Sequence, residues 1–313
     1  MMILRVVFIM VFSLISQLVY PASFSGEVIG SSRENQCNDI ATKGEKVLCF
    51  IKFDYNSDPS RCDQDDNKPG FMCSGIIIRG TTSDLNRDYY SWNPSPASVE
   101  SGGVSFSFLR KDSRFKKLAY DYVNGLIFYP ADFTPQGKDS TIKVLCGFPL
   151  DAGTDKRSDS GCNRYSNIEM SKLCILQDIY TASQWFDNNY MKSGGNLYHY
   201  CGFVLYSADN SINTSQQFDA MIKAQILLKD IAFNMQNEFR LATWEQNKID
   251  IPLEAFFYIS ASSSGLTSAQ LDQQTFFIHY NEFIPIIEVS LPAVEGLDAE
   301  FHYNLQDQKI TPQ

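Results

Sequence analysis

The 313-residue sequence is poor in histidine and contains neither a CxxC nor an HExxH motif. Its three histidines, His199, His279 and His302, are far apart along the chain, so their spacing predicts no metal site of the common types. Basic residues are also outnumbered: 26 Lys and Arg stand against 36 Asp and Glu, for a formal net charge of −10. This balance argues against a protein that binds nucleic acid or an anionic membrane surface, because both need clustered Lys and Arg.

Long apolar runs are absent except at the N-terminus. Arg5 supplies a short positive region, the apolar run from Val6 to Val19 follows it, and small residues surround Ser25. That run is shorter than the roughly 20 residues that a spanning helix needs. We therefore interpret residues 1–25 as a signal peptide that is cleaved, and residues 26–313 as one exported domain. The expected location is the periplasm or the extracellular medium, with no membrane span in the mature chain.

Eight cysteines follow the predicted signal peptide, an even number that predicts a disulfide framework in an exported chain. Loop closure costs least between near neighbours in sequence. The expected pairs are therefore Cys37–Cys49, Cys62–Cys73, Cys146–Cys162 and Cys174–Cys201.

Hydrophobic periodicity predicts a mixture of strands and helices without regular βαβ alternation, which indicates the α+β class. The predicted strands cover residues 47–55, 75–79, 104–109, 125–129, 142–148, 197–207, 253–260, 275–280 and 285–291. The predicted helices cover residues 113–124, 170–188 and 216–246.

One arginine ends the apolar strand that begins at Gly75, and a Ser-x-Ser strand follows it along the chain. Arg79 ends the first strand, and Ser105 and Ser107 alternate with apolar residues on the second, so the two hydroxyls share a face. A charged group beside a buried strand needs a partner, and a guanidinium suits a phosphate or pyrophosphate. The pair indicates a nucleotide site, although Ser-x-Ser alone also fits an ordinary half-exposed strand.

Glu254 stands at the start of a late apolar and aromatic strand, where burial could tune its acidity. A carboxylate there could stabilise the oxocarbenium-like centre that forms when an N-glycosidic bond breaks. A strand-edge Glu that faces solvent is the alternative. Among the aromatic residues, Tyr89, Tyr90 and Trp92 lie between the two strands of the nucleotide motif, and we expect them to stack on a ligand ring.

Together these marks resemble the ADP-ribosyltransferase fold: an Arg that ends a strand, a Ser-x-Ser strand, and a Glu that begins a late strand. Longer runs are similar to those of the halovibrins, a family of secreted bacterial NAD glycohydrolases. These runs are Cys62-Asp63, Lys68 to Gly75, Arg79-Gly80-Thr81, Trp92 to Pro96, Gly102 to Ser107 and Gln184-Trp185.

The resemblance implies an ADP-ribosyltransferase-like mixed-sheet core and cleavage of NAD, as a substrate, into nicotinamide and ADP-ribose, without a further cofactor. It implies that Glu254 acts on the ribose, with Arg79 and Ser105 or Ser107 as its partners. The expected NAD-binding residues are Arg79, Gly80, Thr81, Tyr90, Trp92, Ser105, Phe106 and Ser107.

One departure separates the chain from transferases that modify proteins. Those enzymes usually carry a Glu or Gln two residues before the catalytic Glu, whereas Pro252 stands there in this sequence. Hydrolysis is therefore expected, with a toxin-like mono-ADP-ribosyltransferase as the alternative. A non-catalytic secreted binding protein is the second alternative, in which Arg79 and Glu254 would be structural ion-pair residues.

Overall fold

The computed structural model describes residues 33–57, 68–82, 88–131, 142–152, 159–162, 164–165, 170–171, 173–195, 200–208, 210–247 and 250–310. The predicted signal peptide therefore lies outside the described residues. Within the described ranges, no helix combines the length and apolar character required to cross a bilayer.

Eleven strands and seven bounded α-helices are described, and residues 33–37 are helical as well, which confirms the α+β class. The strands are β1 (Ile76–Gly80), β2 (Gly103–Leu109), β3 (Asn124–Phe128), β4 (Val144–Phe148), β5 (Arg164–Tyr165), β6 (Met170–Ser171), β7 (Phe203–Val204), β8 (Glu238–Ala242), β9 (Leu253–Ile259), β10 (Ile286–Ser290) and β11 (Glu300–His302). The helices are α1 (Lys43–Asn56), α2 (Pro96–Ser101), α3 (Ala182–Phe186), α4 (Thr214–Leu227), α5 (Asp230–Asn234), α6 (Trp244–Asn247) and α7 (Ser263–Tyr280).

Nine of these strands form one mixed sheet in the order β11-β10-β9-β3-β1-β2-β8-β4-β7, and β5 pairs with β6 separately. β9 and β10 run parallel, and the other neighbours in the large sheet are antiparallel. Both faces of the sheet are buried. Ile77 belongs to the larger apolar core on one face, whereas Ile76 and Ile78 belong to a second core, against which α1 packs, on the other.

Two segments predicted as strands are helices. Residues 47–55 lie in α1, where Thr42 caps the first turn and Val47, Ile51 and Tyr55 recur with helical spacing on the buried side. Residues 275–280 form the end of α7, which buries Phe276 beneath the sheet. Both segments are rich in β-branched and aromatic residues, whose strand preference is overridden here by packing.

Two predicted helices differ from the structure. Residues 113–123 form a loop with one short 3₁₀ turn at Ala119–Asp121, so no α-helix is present there. The helix predicted over residues 216–246 is confirmed in part: α4, α5 and the start of α6 lie in this range, but β8 interrupts it. In β8 the apolar Phe239 and Leu241 point into the larger core and alternate with polar residues, which is the period of a strand.

The remaining predicted segments agree in part. The strands expected near residues 75–79, 104–109, 125–129, 142–148, 253–260 and 285–291 are all present with shifted ends. Of the strand expected over 197–207, residues 197–199 lie outside the described residues, and the described remainder contains β7. The helix expected over 170–188 is confirmed only from α3 onward, since a strand and a 3₁₀ turn precede it.

Three of the expected disulfides are present: Cys37–Cys49, Cys146–Cys162 and Cys174–Cys201. Cys73 is disulfide-bonded as well, but the expected Cys62–Cys73 pair involves Cys62, which lies outside the described residues. Disulfides of this number are typical of exported proteins, since the cytosol keeps thiols reduced.

The large sheet splits between its two central strands. Pairing between β1 and β2 ends at Ile78 and Ser107. From there, Arg79 continues to pair with Leu126 of β3, whereas the first half of β2 pairs with β8 on the other side. β1 and β2 therefore diverge, and the fork between them opens a cleft.

Candidate active site

The cleft in the fork has a volume of about 590 Å³, within the range of about 300–1,000 Å³ that is usual for small-molecule sites. It is bounded by the end of β1, the segment that leads into α2, the first half of β2, the turn around residue 120 and the start of β8. Its lining residues are Arg79, Gly80, Thr81, Tyr89, Ser91, Asn93, Ser95, Ala97, Ser98, Glu100, Ser101, Ser105, Phe106, Ser107, Ala119, Tyr120, Tyr122, Asp151, Gln236 and Arg240.

Arg79 forms the wall of the cleft on the β1 side. Its guanidinium carbon lies 5.8 Å from the centroid of the Phe106 ring, so the charge rests near an aromatic face at the root of the fork. The hydroxyls of Thr81 and Ser91 belong to cleft-lining residues and are buried without a hydrogen-bond partner among the described residues. Since buried polar groups are usually hydrogen-bonded, these hydroxyls suit a ligand that carries polar groups.

Ser105 forms the opposite wall and joins two buried charges. Its hydroxyl donates to Oε1 of Glu238 at 2.6 Å and accepts from Nη1 of Arg240 at 2.5 Å. Glu238 is fully buried and its Oε2 accepts from the backbone N–H of Ala152 at 2.8 Å. A carboxylate thus lies directly behind the cleft wall, one hydroxyl away from the cleft.

Arg240 is held in place by three acceptors. Besides Ser105, its guanidinium donates to the carbonyl oxygen of Gly103 at 2.7 Å and to that of Ser160 at 3.0 Å. Ser160 precedes Cys162, whose disulfide to Cys146 ties this loop to β4. The disulfide therefore fixes one of the groups that orient Arg240.

Ser107 lies on the same face of β2 as Ser105 and also lines the cleft. It is 2% exposed and pairs across the sheet with Ile78, at the last rung before β1 and β2 separate. The sequence left open which serine faces the ligand. Both line the cleft, and it is Ser105 that bonds to the carboxylate.

Glu254 is placed elsewhere. It lies on β9, which is separated from β1 by β3, and it is absent from the cleft lining. It forms a buried ion pair with Arg33, and Arg33 also lies 3.4 Å from Asp54. A register shift in the pairing of β3 with β9 occurs at this position, so Glu254 is turned towards Arg33. Neither Glu254 nor Glu238 lines the cleft, but of the two carboxylates it is Glu238 that bonds to a cleft residue, Ser105.

Tyr90 and Trp92 were expected to stack on a ligand ring, and they pack against α7 instead. Trp92 is fully buried and stacks on Tyr90 with ring centroids 4.7 Å apart. The edge of Trp92 contacts Phe276, and the Tyr90 hydroxyl bonds to His279. In contrast, Gly80, Thr81, Phe106 and the neighbouring Tyr89 do line the cleft.

The side chains that sequence reasoning missed come from two segments read as helix. Gln236, Glu238 and Arg240 lie on or next to β8, and Tyr120 lies in the turn between β2 and β3. The alternation in Glu238-Phe239-Arg240-Leu241 was a detectable strand signal. It also places a Glu at the beginning of a late strand, which is the mark that had been assigned to Glu254.

No model of a known protein family matches this sequence, and a search of curated proteins finds no match either. Among the described residues, no group of three or more His, Cys, Asp and Glu side chains is close enough to hold a metal ion. The geometry of the cleft and the motif resemblance therefore carry the functional proposal.

Proposed function

We propose that the protein is an exported NAD glycohydrolase, which splits NAD into nicotinamide and ADP-ribose. One observation supports the proposal above the others. A cleft of ligand size has the guanidinium of Arg79 on one wall, and the carboxylate of Glu238 lies behind the Ser105 hydroxyl on the other. An anionic substrate that develops positive charge at one carbon needs this combination of charges.

In this proposal Arg79 binds the pyrophosphate, because a guanidinium is always charged and makes paired hydrogen bonds to phosphate oxygens. The N-glycosidic bond breaks with positive charge on the ribose. Glu238 does not line the cleft, so its carboxylate acts on that charge through the Ser105 hydroxyl, and its burial strengthens the effect because fewer waters screen it. Ser105 orients the carboxylate. Water adds to the ribose carbon that nicotinamide has left and releases one proton to solvent, which gives ADP-ribose.

The runner-up is transfer of ADP-ribose to a protein, and one observation favours it. Pro252, which disfavours transfer, stands two residues before Glu254. With Glu238 as the carboxylate, Gln236 takes that position, and Gln236 lines the cleft. This is the arrangement that the resemblance associates with transferases, so the experiment must separate the two products.

The test uses disulfide-intact protein without the predicted signal peptide, incubated with NAD labelled in the adenylate part. Free nicotinamide reports cleavage, and the label reports whether ADP-ribose remains free or becomes attached to added protein. The proposal predicts nicotinamide and free ADP-ribose in equal amounts. Label on protein would favour the transferase, and an absence of nicotinamide would contradict both enzymatic proposals.

Two Glu→Gln substitutions test the role of Glu238, with Glu100 as the control. Glu238→Gln removes the negative charge beside Ser105 and should abolish nicotinamide release. Glu100→Gln changes an exposed carboxylate that also lines the cleft and should leave release within a fewfold of wild type. Equal losses in both variants would contradict the special role of Glu238.

A further inference from the structure

Arg240 borders the cleft, yet the protein itself holds its charge. The residue is only 4% exposed. Its guanidinium donates to the Ser105 hydroxyl and to the carbonyl oxygens of Gly103 and Ser160. Burying a charge is costly unless such partners surround it. These contacts make Arg240 part of the cleft wall, where it acts on the site through Ser105.

Arg240 sets the direction of the Ser105 proton. A hydroxyl carries a single proton, and a guanidinium only donates hydrogen bonds. Because Nη1 of Arg240 donates to the Ser105 oxygen at 2.5 Å, the hydroxyl proton is directed to Oε1 of Glu238, at 2.6 Å. Without Arg240 this hydroxyl would be able to rotate. Arg240 therefore determines which way the bond between the cleft wall and the carboxylate runs.

Two glycines allow the loop around Ser160 to approach Arg240 closely. Gly161 has a φ of +84°, and a Cβ at this position would come within 2.5 Å of Nε of Arg240. A Cβ at Gly103 would overlap the Ser160 carbonyl oxygen and lie 3.0 Å from Nη2 of Arg240. The hold of the loop on the guanidinium thus depends on the absence of side chains at both positions.

A disulfide anchors this loop to the same row of the sheet. Cys162 directly follows Gly161 and is bonded to Cys146. Cys146 lies opposite Arg240 in the pairing of β4 with β8, and Ser105 lies opposite Arg240 in the pairing of β2 with β8. The bridge therefore links the strand beside Arg240 to the loop that bonds to Arg240.

We propose that the Cys146–Cys162 disulfide is a redox switch of the cleft. It sets the loop that holds Arg240, and Arg240 is a positioning residue that directs the Ser105 hydroxyl to Glu238. Forming the bond removes two electrons and two protons from the two thiols and passes them to a disulfide oxidant, which becomes a dithiol.

The oxidised chain is then the active form, and the chain with both thiols reduced folds but turns over slowly. An enzyme that consumes NAD would remain nearly inactive in a compartment that keeps thiols reduced. The effect on turnover rests on the proposed function, whereas the hold of the loop on Arg240 does not.

The first experiment follows the Nε–H group of Arg240 by NMR, without substrate, in protein labelled with ¹⁵N-arginine. The signal is assigned by its loss in Arg240→Met. In wild type the bond to the Ser160 carbonyl, at 3.0 Å, should protect this proton from exchange with water. Replacing Cys146 and Cys162 together by Ala should speed its exchange at least about tenfold, which corresponds to a tenfold larger open population.

The matched control removes the Cys37–Cys49 bridge by the same double Ala substitution. The two bridges span 12 and 16 residues, so their removal should destabilise the fold to a similar extent. Neither Cys37 nor Cys49 lines the cleft, and the exchange of the Arg240 proton should stay within about twofold of wild type. The Nε–H group of Arg110, which donates to Asp112 at 2.7 Å, is the reference signal within each sample.

The second experiment measures kcat and KM for nicotinamide release from NAD. The double Ala variant at Cys146 and Cys162, and Arg240→Met, should each lower kcat about a hundredfold with little change in KM. Because Arg240 acts through Ser105, combining Arg240→Met with Ser105→Ala should cost no more than Ser105→Ala alone. Arg110→Met, at another buried arginine outside the cleft, should leave the kcat of the folded protein within about threefold.

Gly161→Ala provides a second variant that keeps the disulfide and displaces the loop from Arg240. It should show the same faster exchange and lower kcat, and wild-type values for both would overturn the role of the loop. Unchanged exchange in the Cys146 and Cys162 variant, or failure of that variant to fold, would overturn the switch. Additive losses in Arg240→Met with Ser105→Ala would overturn the positioning role.

The two experiments separate this proposal from the proposed function. Faster exchange of the Arg240 proton in the Cys146 and Cys162 variant, with no nicotinamide release by any protein, supports the hold of the disulfide on Arg240 and contradicts the glycohydrolase. Nicotinamide release that is equal in wild type and in this variant contradicts the switch alone.

Discussion

Replacing Ser105 by Ala removes one hydroxyl that connects two buried charges. That hydroxyl donates to Glu238 at 2.6 Å and accepts from Arg240 at 2.5 Å. A hydrogen bond to a charged group contributes about 1.5–3 kcal/mol to stability. After the substitution Glu238 keeps its bond to Ala152 and stays 3.8 Å from Arg240. Because these contacts compensate in part, we expect the free energy of unfolding to fall by about 2 kcal/mol.

The effect on turnover should be larger than the effect on stability. Losing one preorganised donor in an active site typically costs about 10²–10³ in kcat. We therefore expect nicotinamide release by Ser105→Ala to fall about a hundredfold or more, while the KM for NAD changes little, because Arg79 and the other cleft walls remain.

Ser107→Ala is the matched control, since this hydroxyl is on the same strand, on the same face and in the same cleft. It lies two residues further along β2, and the contact to Glu238 is made by Ser105. Because Ser107 is buried, we expect a stability loss of about 1 kcal/mol, the usual size for a point substitution, and activity within about twofold of wild type. Chemical denaturation and nicotinamide release measure the two effects. Equal losses in the two variants, or a greater loss in Ser107→Ala, would refute the reasoning.

Three further predictions concern the rest of the fold. Glu254→Gln weakens the buried ion pair with Arg33 and should lower the denaturation midpoint. The kcat of the folded protein should stay within about threefold of wild type, and a hundredfold loss would show that Glu254 belongs to the active site. Burial raises the pKa of Asp54 to about 7, with Arg33 opposing the shift. The folded state therefore holds this proton more tightly than the unfolded state, and its stabilising contribution, present at pH 4, should be lost as the pH rises through 7. The free energy of unfolding, measured from pH 5 to 8, should decline in this way in wild type and change less in Asp54→Asn. If the two proteins show the same pH dependence, Asp54 is not the group responsible. A double Ala substitution that removes the Cys174–Cys201 bridge, which spans 27 residues, should lower the free energy of unfolding by about 3.6 kcal/mol through loop entropy alone. An unchanged denaturation midpoint would contradict this expectation.

The sequence predicted the fold best where apolar runs were short and bounded by glycine. Gly75 and Gly103 mark the starts of the two strands that fork, and both strands are present. The α+β class and three of the disulfides were also predicted, the latter from neighbour spacing alone. Arg79 and Ser105 were predicted as site residues from local strand patterns, and both line the cleft.

The carboxylate could not be assigned because it depends on which strands become neighbours. Glu238 and Glu254 both begin a late strand, and sequence alone gives no reason to prefer the strand beside β2 over the one beside β3. In addition, β8 follows α4 and α5 closely, so the sequence predicted one helix of 31 residues, 216–246, that includes the residues of β8. The prediction that Trp92 stacks on a ligand was wrong because it too depends on tertiary packing. Trp92 lies between the two strands of the motif in sequence, but α7 packs against it.

The identity of the carboxylate is the central claim, and one comparison tests it most directly. Nicotinamide release from NAD is measured for wild type, Glu238→Gln and Glu254→Gln, each shown to be folded by its near-ultraviolet circular dichroism. We expect release by wild type and Glu254→Gln, and a loss of about 10²–10³ in Glu238→Gln, the order observed when one preorganised electrostatic group is removed from an active site. Undiminished release by Glu238→Gln, or loss confined to Glu254→Gln, would contradict it.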